Sequence, residues 1–167
     1  MDENFAYDRE TLACMAGFNA LWQRVTQSTP QNTTPACFPE DEQLHQLLCR
    51  EFCAAKGYTV LARMFPSRSR MLLIAHGNDA KRRARRLHGE YFIRTGQRCR
   101  CEGDCPIPEG KLPSLRSLLR QEQELSDNYR TAAERTGCPI LKELYSRFSA
   151  ETAERAKTLR ALLLDCF

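Results

Sequence analysis

The residues best suited to chemistry in this chain occur twice. Glu51 is followed seven residues later by Tyr58, with Leu61 and Ala62 beyond it; Glu122 is followed seven residues later by Tyr129, with Ala132 and Ala133 beyond. Corresponding members are 71 positions apart (122 − 51). A bundle of duplicated helix pairs can carry a metal site on its pseudo-twofold axis, and paired carboxylates are what such a site needs. Beside a metal the two tyrosines could be redox-active; without one they are aromatic core residues whose hydroxyls need partners. The densest group of soft ligands lies elsewhere, in Cys99, Cys101 and Cys105. With a fourth thiolate from Cys138, Cys37 or Cys14 these could make a tetrahedral zinc site. The spacing is not that of paired CxxC knuckles, so loop thiols and disulfides remain alternative readings. Cys49 and Cys53, one helical turn apart, read as small buried hydrophobes.

The elements that must position these groups are helices. Leu12, Met15, Phe18, Leu21, Trp22 and Val25 recur at helical spacing and predict an N-terminal helix from Asp8 to about Val25. A loop rich in Pro and Thr follows, from Gln27 to Glu40. A second helix is expected from about Asp41 to Arg63, burying Leu44, Phe52, Ala55, Tyr58 and Ala62, and a third from about Ser69 to Arg94. Gly77 inside the third costs about 1 kcal/mol against Ala in an exposed helix, so a packing reason or a local distortion is expected there. A crossover rich in Gly, Pro and Cys spans 95–113. The fourth helix is expected from a Ser114 cap to about Arg135, and the last from Pro139 to about Leu164. Short turns inside each pair and one long connection between pairs give a hairpin, a crossover and a second hairpin. The domain division is therefore 1–40 for the N-terminal helix and loop and 41–167 for a four-helix bundle, in one compact unit.

A second repeat sharpens the pattern. Leu72, His76, Ala80, Arg83, Ala84 and Leu87 align with Leu144, Phe148, Thr152, Arg155, Ala156 and Leu159, 72 positions apart (155 − 83). Together with the Glu and Tyr repeat, and with Arg83 to Leu87 followed by Tyr91, Phe92, Thr95 and Gly96, this resembles the ferritin-like superfamily, in particular bacterial proteins of its rubrerythrin-type branch. The resemblance covers about residues 41–164 and implies an all-α antiparallel four-helix bundle. In that family a Glu from each of two helices joins a Glu-x-x-His pair from each of the other two to hold a di-iron centre. Glu51 and Glu122 match the single carboxylates. Ala80 with Arg83, and Thr152 with Arg155, stand where the Glu-x-x-His pairs belong. A guanidinium stays protonated and cannot ligate a cation. The two Arg charges instead balance Glu51 and Glu122, and a neutral, metal-free centre is expected. Asp79, Glu124, Glu151 and Glu154 lie near the ligand positions but are rotated from them by about 100° or 200° on the helix, so they should face neighbours or solvent. His76 reads as a packed or hydrogen-bonded histidine.

Bulk properties bound the rest. With 167 residues, 42% hydrophobic, 28% charged and a net charge of +4, the chain has the composition of a single soluble globular domain. The N-terminus lacks the basic and apolar regions of a secretory signal, and no run reaches the roughly 20 apolar residues of a membrane span. A cytoplasmic protein is expected, and with it nine cysteines held largely as reduced thiols. The run Lys81, Arg82, Arg83, Arg85 and Arg86 reads as a solvated helix face with Arg83 inward, and not as a nucleic-acid surface. The expected function is a structural or protein-interaction module, without a catalytic residue, with a homo-oligomer or another protein as partner. A second reading is an iron-binding or di-iron oxidoreductase or peroxidase-type protein with displaced ligands. A third is a zinc or redox protein using the cysteine cluster.

Overall fold

Four α-helices form because four stretches present apolar side chains on one face. In the computed structural model, which describes residues 39–101 and 105–167, these are α1 (Pro39–Ala62), α2 (Ser67–Thr95), α3 (Lys111–Arg135) and α4 (Pro139–Leu164). No strand occurs among the described residues. The expected N-terminal helix, with Phe18 and Trp22, lies outside them. So do Cys14 and Cys37. With 24 to 29 residues each, the helices are about 36 to 44 Å long.

The ends follow local chemistry. Glu40, Asp41 and Glu42 in the first turn of α1 complement the positive end of its dipole. α2 stops at Gly96, whose φ of 69° lets its N–H close on the Phe92 carbonyl at 2.8 Å. Pro139 opens α4, where its missing N–H costs no helical bond. The expected Ser114 cap is corrected: α3 begins at Lys111, Pro113 sits within its first turn, and the Ser114 hydroxyl donates to the Pro108 carbonyl.

Packing contacts fix the directions. Arg94 near the end of α2 reaches Asp41 and Glu40 at the start of α1, with Nε 2.7 Å from Asp41 Oδ1 and Nη2 2.8 Å from Glu40 Oε2. Arg70 at the start of α2 reaches the Ala62 carbonyl at the end of α1. These two helices are therefore antiparallel. Ser126 and Ser149 exchange hydrogen bonds between α3 and α4, and Glu122 meets Arg155 farther along, so this pair is antiparallel too. Glu40 also accepts from Thr136 Oγ1 at 2.9 Å and Gly137 N at 3.1 Å, which ties the start of α1 to the α3–α4 turn. The Thr136 hydroxyl, above all, holds the Glu40 carboxyl below its ordinary range.

The described parts of the crossover, 96–101 and 105–110, run alongside α1. Cys101 is bonded to Cys49 and Cys105 to Cys53, so the cysteines of α1 are cross-links and not buried hydrophobes, and reduced thiols do not describe these four. Cys99, Cys138 and Cys166 are free. Phe52, expected in the core, is 41% exposed on the outer face of α1.

Gly77 has a packing reason. A Cβ there would lie 3.0 Å from the Cβ of Tyr58, so the absence of a side chain lets α1 and α2 pack closely at this point. The apolar core splits into two clusters. One surrounds Leu48, Leu87, Leu125, Tyr145 and Phe148; the other surrounds Leu61, Leu73, Leu115 and Leu159. The polar residues Glu51, Arg83, Glu122, Thr152 and Arg155 are buried in the bundle but belong to neither cluster. No helix among the described residues is long and apolar enough to cross a membrane.

Candidate functional site: a buried carboxylate and guanidinium layer

Each helix contributes to the polar layer: Glu51 from α1, Ala80 and Arg83 from α2, Glu122 from α3, Thr152 and Arg155 from α4. Glu51, Ala80, Glu122 and Thr152 have no exposure, and Arg83 and Arg155 retain 4% and 3%. Charged side chains this deep survive only when paired. The two arginines point inward, as the charge balance expected from the sequence requires.

The first half of the layer is closely bonded. Arg83 Nε donates to Glu51 Oε1 at 2.7 Å and Arg83 Nη2 to Glu51 Oε2 at 3.4 Å, a forked pair of the kind that guanidinium and carboxylate planes favour. Tyr129 Oη, from the other half of the repeat, donates to the same Glu51 Oε1 at 2.8 Å. Arg83 Nη1 donates to Glu151 Oε2 at 3.0 Å. Glu151 is thus a third carboxylate of the layer, half-exposed at its rim. It was expected to face neighbours or solvent, and it does both, because the long Arg83 side chain reaches out to it.

The second half is looser. Arg155 Nη2 lies 2.7 Å from Glu122 Oε2 and 3.7 Å from Glu51 Oε2, and donates to Thr152 Oγ1 at 3.2 Å. Neither Glu122 oxygen receives an aligned hydrogen bond, and Arg155 Nε and Nη1 have no hydrogen-bond partner. The Tyr58 hydroxyl, the repeat counterpart of Tyr129, lies beside the Glu122 carboxyl but makes no aligned hydrogen bond. The duplicated residues have therefore reached one place with unequal bonding.

Electrostatics explains part of the inequality. Glu51 and Glu122 face Arg83 and Arg155 inside the layer, while Glu151 at the rim is shared between Arg83 and Arg147, 3.0 and 3.8 Å away. Burial, and then the neighbouring Glu51 carboxylate, push the Glu122 carboxyl well above its ordinary range. Glu51 is also raised by burial, opposed by Arg83 and by the Tyr129 hydrogen bond. Burial raises the Tyr58 and Tyr129 phenols as well, with the nearby carboxylates adding to it. Both tyrosines hold their protons at neutral pH.

The remaining candidates separate. His76 packs against Tyr58 with ring centroids 5.8 Å apart, neither ring nitrogen is hydrogen-bonded, and burial lowers its pKa. Asp79, Glu124 and Glu154 pair with Arg82, Arg50 and Lys157. Cys99 and Cys101 come together with sulfurs 3.9 Å apart, but Cys105 leaves them for Cys53, so the expected trio Cys99, Cys101 and Cys105 is not one cluster. The residues misread in the sequence were Cys49 and Cys53, taken there as small buried hydrophobes. Their spacing of four equals that of Cys101 and Cys105, which was the available signal.

Among known protein families and curated proteins, none matches this chain.

Proposed function

We propose that the chain is a ferritin-like bundle of the rubrerythrin type whose di-iron centre has been replaced by an ion-pair layer, and that it serves as a structural or protein-interaction module. The hairpin, crossover and hairpin arrangement supports the first half of this reading. The observation that carries it is the position of the two guanidinium groups: Arg83 and Arg155 each come within 2.7 Å of the carboxylates a metal would need, Glu51 and Glu122. These residues do not fit an iron pair. Ala80 and Thr152 offer no carboxylate, and each Arg adds a fixed positive charge that repels a cation. Glu151, the displaced carboxylate that reaches the layer, is bound to Arg83. The exposed apolar side chains Met71, Leu72 and Ile74 on α2 favour contact with another protein or a second copy.

Iron titration of tag-free protein purified without chelators tests the reading. The near-ultraviolet absorbance should show no iron-dependent band, and a tightly held iron pair would overturn it. The combined substitutions Ala80→Glu, Arg83→His, Thr152→Glu and Arg155→His should restore iron binding if the aligned positions are right.

A further inference from the structure

We propose that His45, Cys49, Cys99 and Cys101 form a zinc site that becomes available when the Cys49–Cys101 disulfide is reduced. His45 and Cys49 stand one turn apart on the face of α1 along which the crossover runs. Cys99 and Cys101 occupy alternate positions of the non-helical crossover, a spacing that in extended backbone puts side chains on one side. Four soft or borderline donors are thereby gathered from two segments that nothing but their cysteines joins covalently at this level.

The separations suit the metal. Zinc bonds of about 2.3 Å to sulfur and 2.0–2.1 Å to nitrogen give a tetrahedron with edges of roughly 3.5 to 3.8 Å. His45 Nε2 is 3.7 Å from Cys49 Sγ, and Cys99 Sγ is 3.9 Å from Cys101 Sγ. A ring nitrogen of His45 and the sulfurs of Cys49 and Cys99 all lie within 4.8 Å of one another. The bonded sulfurs of Cys49 and Cys101 are the pair that must part. Three thiolates and one imidazole in a closed four-coordinate shell are a structural zinc set.

The redox step balances. An external dithiol transfers two electrons and two protons to the disulfide, becoming a disulfide itself, and leaves Cys49 and Cys101 as thiols. Zinc binding then releases a proton from each of Cys49, Cys99 and Cys101. His45 exchanges its contact with the Arg100 carbonyl, at 3.2 Å, for the metal. The crossover is consequently fastened to α1 in both states, by a covalent bond when oxidised and by the ion when reduced.

The test uses the full chain, reduced anaerobically with a phosphine, given zinc chloride and desalted. About one zinc per chain should remain, and it should be released when a thiol oxidant re-forms the disulfide. Cobalt(II) in place of zinc should give the intense visible bands of tetrahedral thiolate coordination. His45 and Cys99 are only partly buried, so His45→Gln and Cys99→Ser should keep native helicity. Each should weaken zinc binding by more than the roughly 10- to 100-fold of an outer-sphere change. The double variants Cys53→Ser/Cys105→Ser and Cys14→Ser/Cys37→Ser should bind zinc as wild type does. Failure of reduced wild type to retain zinc, an octahedral cobalt spectrum, or wild-type affinity in Cys99→Ser and His45→Gln would overturn the assignment.

Discussion

Glu51 and Glu122 are the same residue of a repeat with different workloads. Glu51 holds Arg83 through both oxygens and accepts an aligned hydrogen bond from Tyr129, while Glu122 pairs with Arg155 and only approaches the Tyr58 hydroxyl. Removing Glu51 leaves the buried Tyr129 phenol without its acceptor and Arg83 with only the half-exposed Glu151, and Glu51→Ala should destabilise by roughly 3 to 5 kcal/mol. Glu122→Ala should cost clearly less in the same urea unfolding experiment; equal losses would contradict the asymmetry. The pH dependence of Glu122 has a definite sign. Its folded pKa lies above the unfolded value near 4.5, so the stability it contributes is complete below that value and is lost as pH rises through the folded pKa. As pH rises above the unfolded value, wild type should therefore lose stability relative to Glu122→Gln. A difference that does not vary with pH would refute the protonated carboxyl. The inward arginines were legible in the sequence because duplication placed each at the same register position in its half. Glu151 was not, since helix rotation describes where its own backbone points and not how far Arg83 can reach.

At the level of helices, sequence and structure agree best where chain chemistry is local. Both ends of α4 were legible from Pro139 and the last apolar turn. The start of α3 was misplaced because Pro113 reads equally well as the residue before a helix or as part of its first turn, where no N–H is required. The crossover cross-links escaped because each joins residues 52 apart, and equal spacing alone does not say which cysteine meets which. Two helix glycines, Gly77 against α1 and Gly57 against α3, give a paired prediction. Gly77→Ala would press its methyl against the Tyr58 Cβ, an atom fixed to backbone, at 3.0 Å. Overpacking of this kind costs about 1 to 3 kcal/mol and should outweigh the helix-propensity gain of about 1 kcal/mol. Gly57→Ala meets only the end of the Leu118 side chain, which can turn aside, so it should be neutral or stabilising. Thermal unfolding of both variants decides; a more stable Gly77→Ala would mean that the helices can separate without loss.

For the whole molecule, the disulfides set how much of the stability is conditional on redox state. A cross-link closing a loop of this size constrains the unfolded chain by about 4 kcal/mol, and the second, interlaced with the first, adds less. Reduction without metal should lower the unfolding midpoint markedly, by calorimetry with and without phosphine; an unchanged midpoint would show that packing alone fixes the crossover. Both bonds lie within residues 49–105, and among the described residues no disulfide reaches α4. A single backbone nick therefore has opposite outcomes in the two hairpins. Cut in the turn after Ala62, the fragments stay one molecule, riveted through α1 and the crossover. Cut near Gly137, the last helix is held by no described disulfide, but by its packing and by the bonds of Arg155 to Glu122, Glu151 to Arg83 and Ser149 to Ser126.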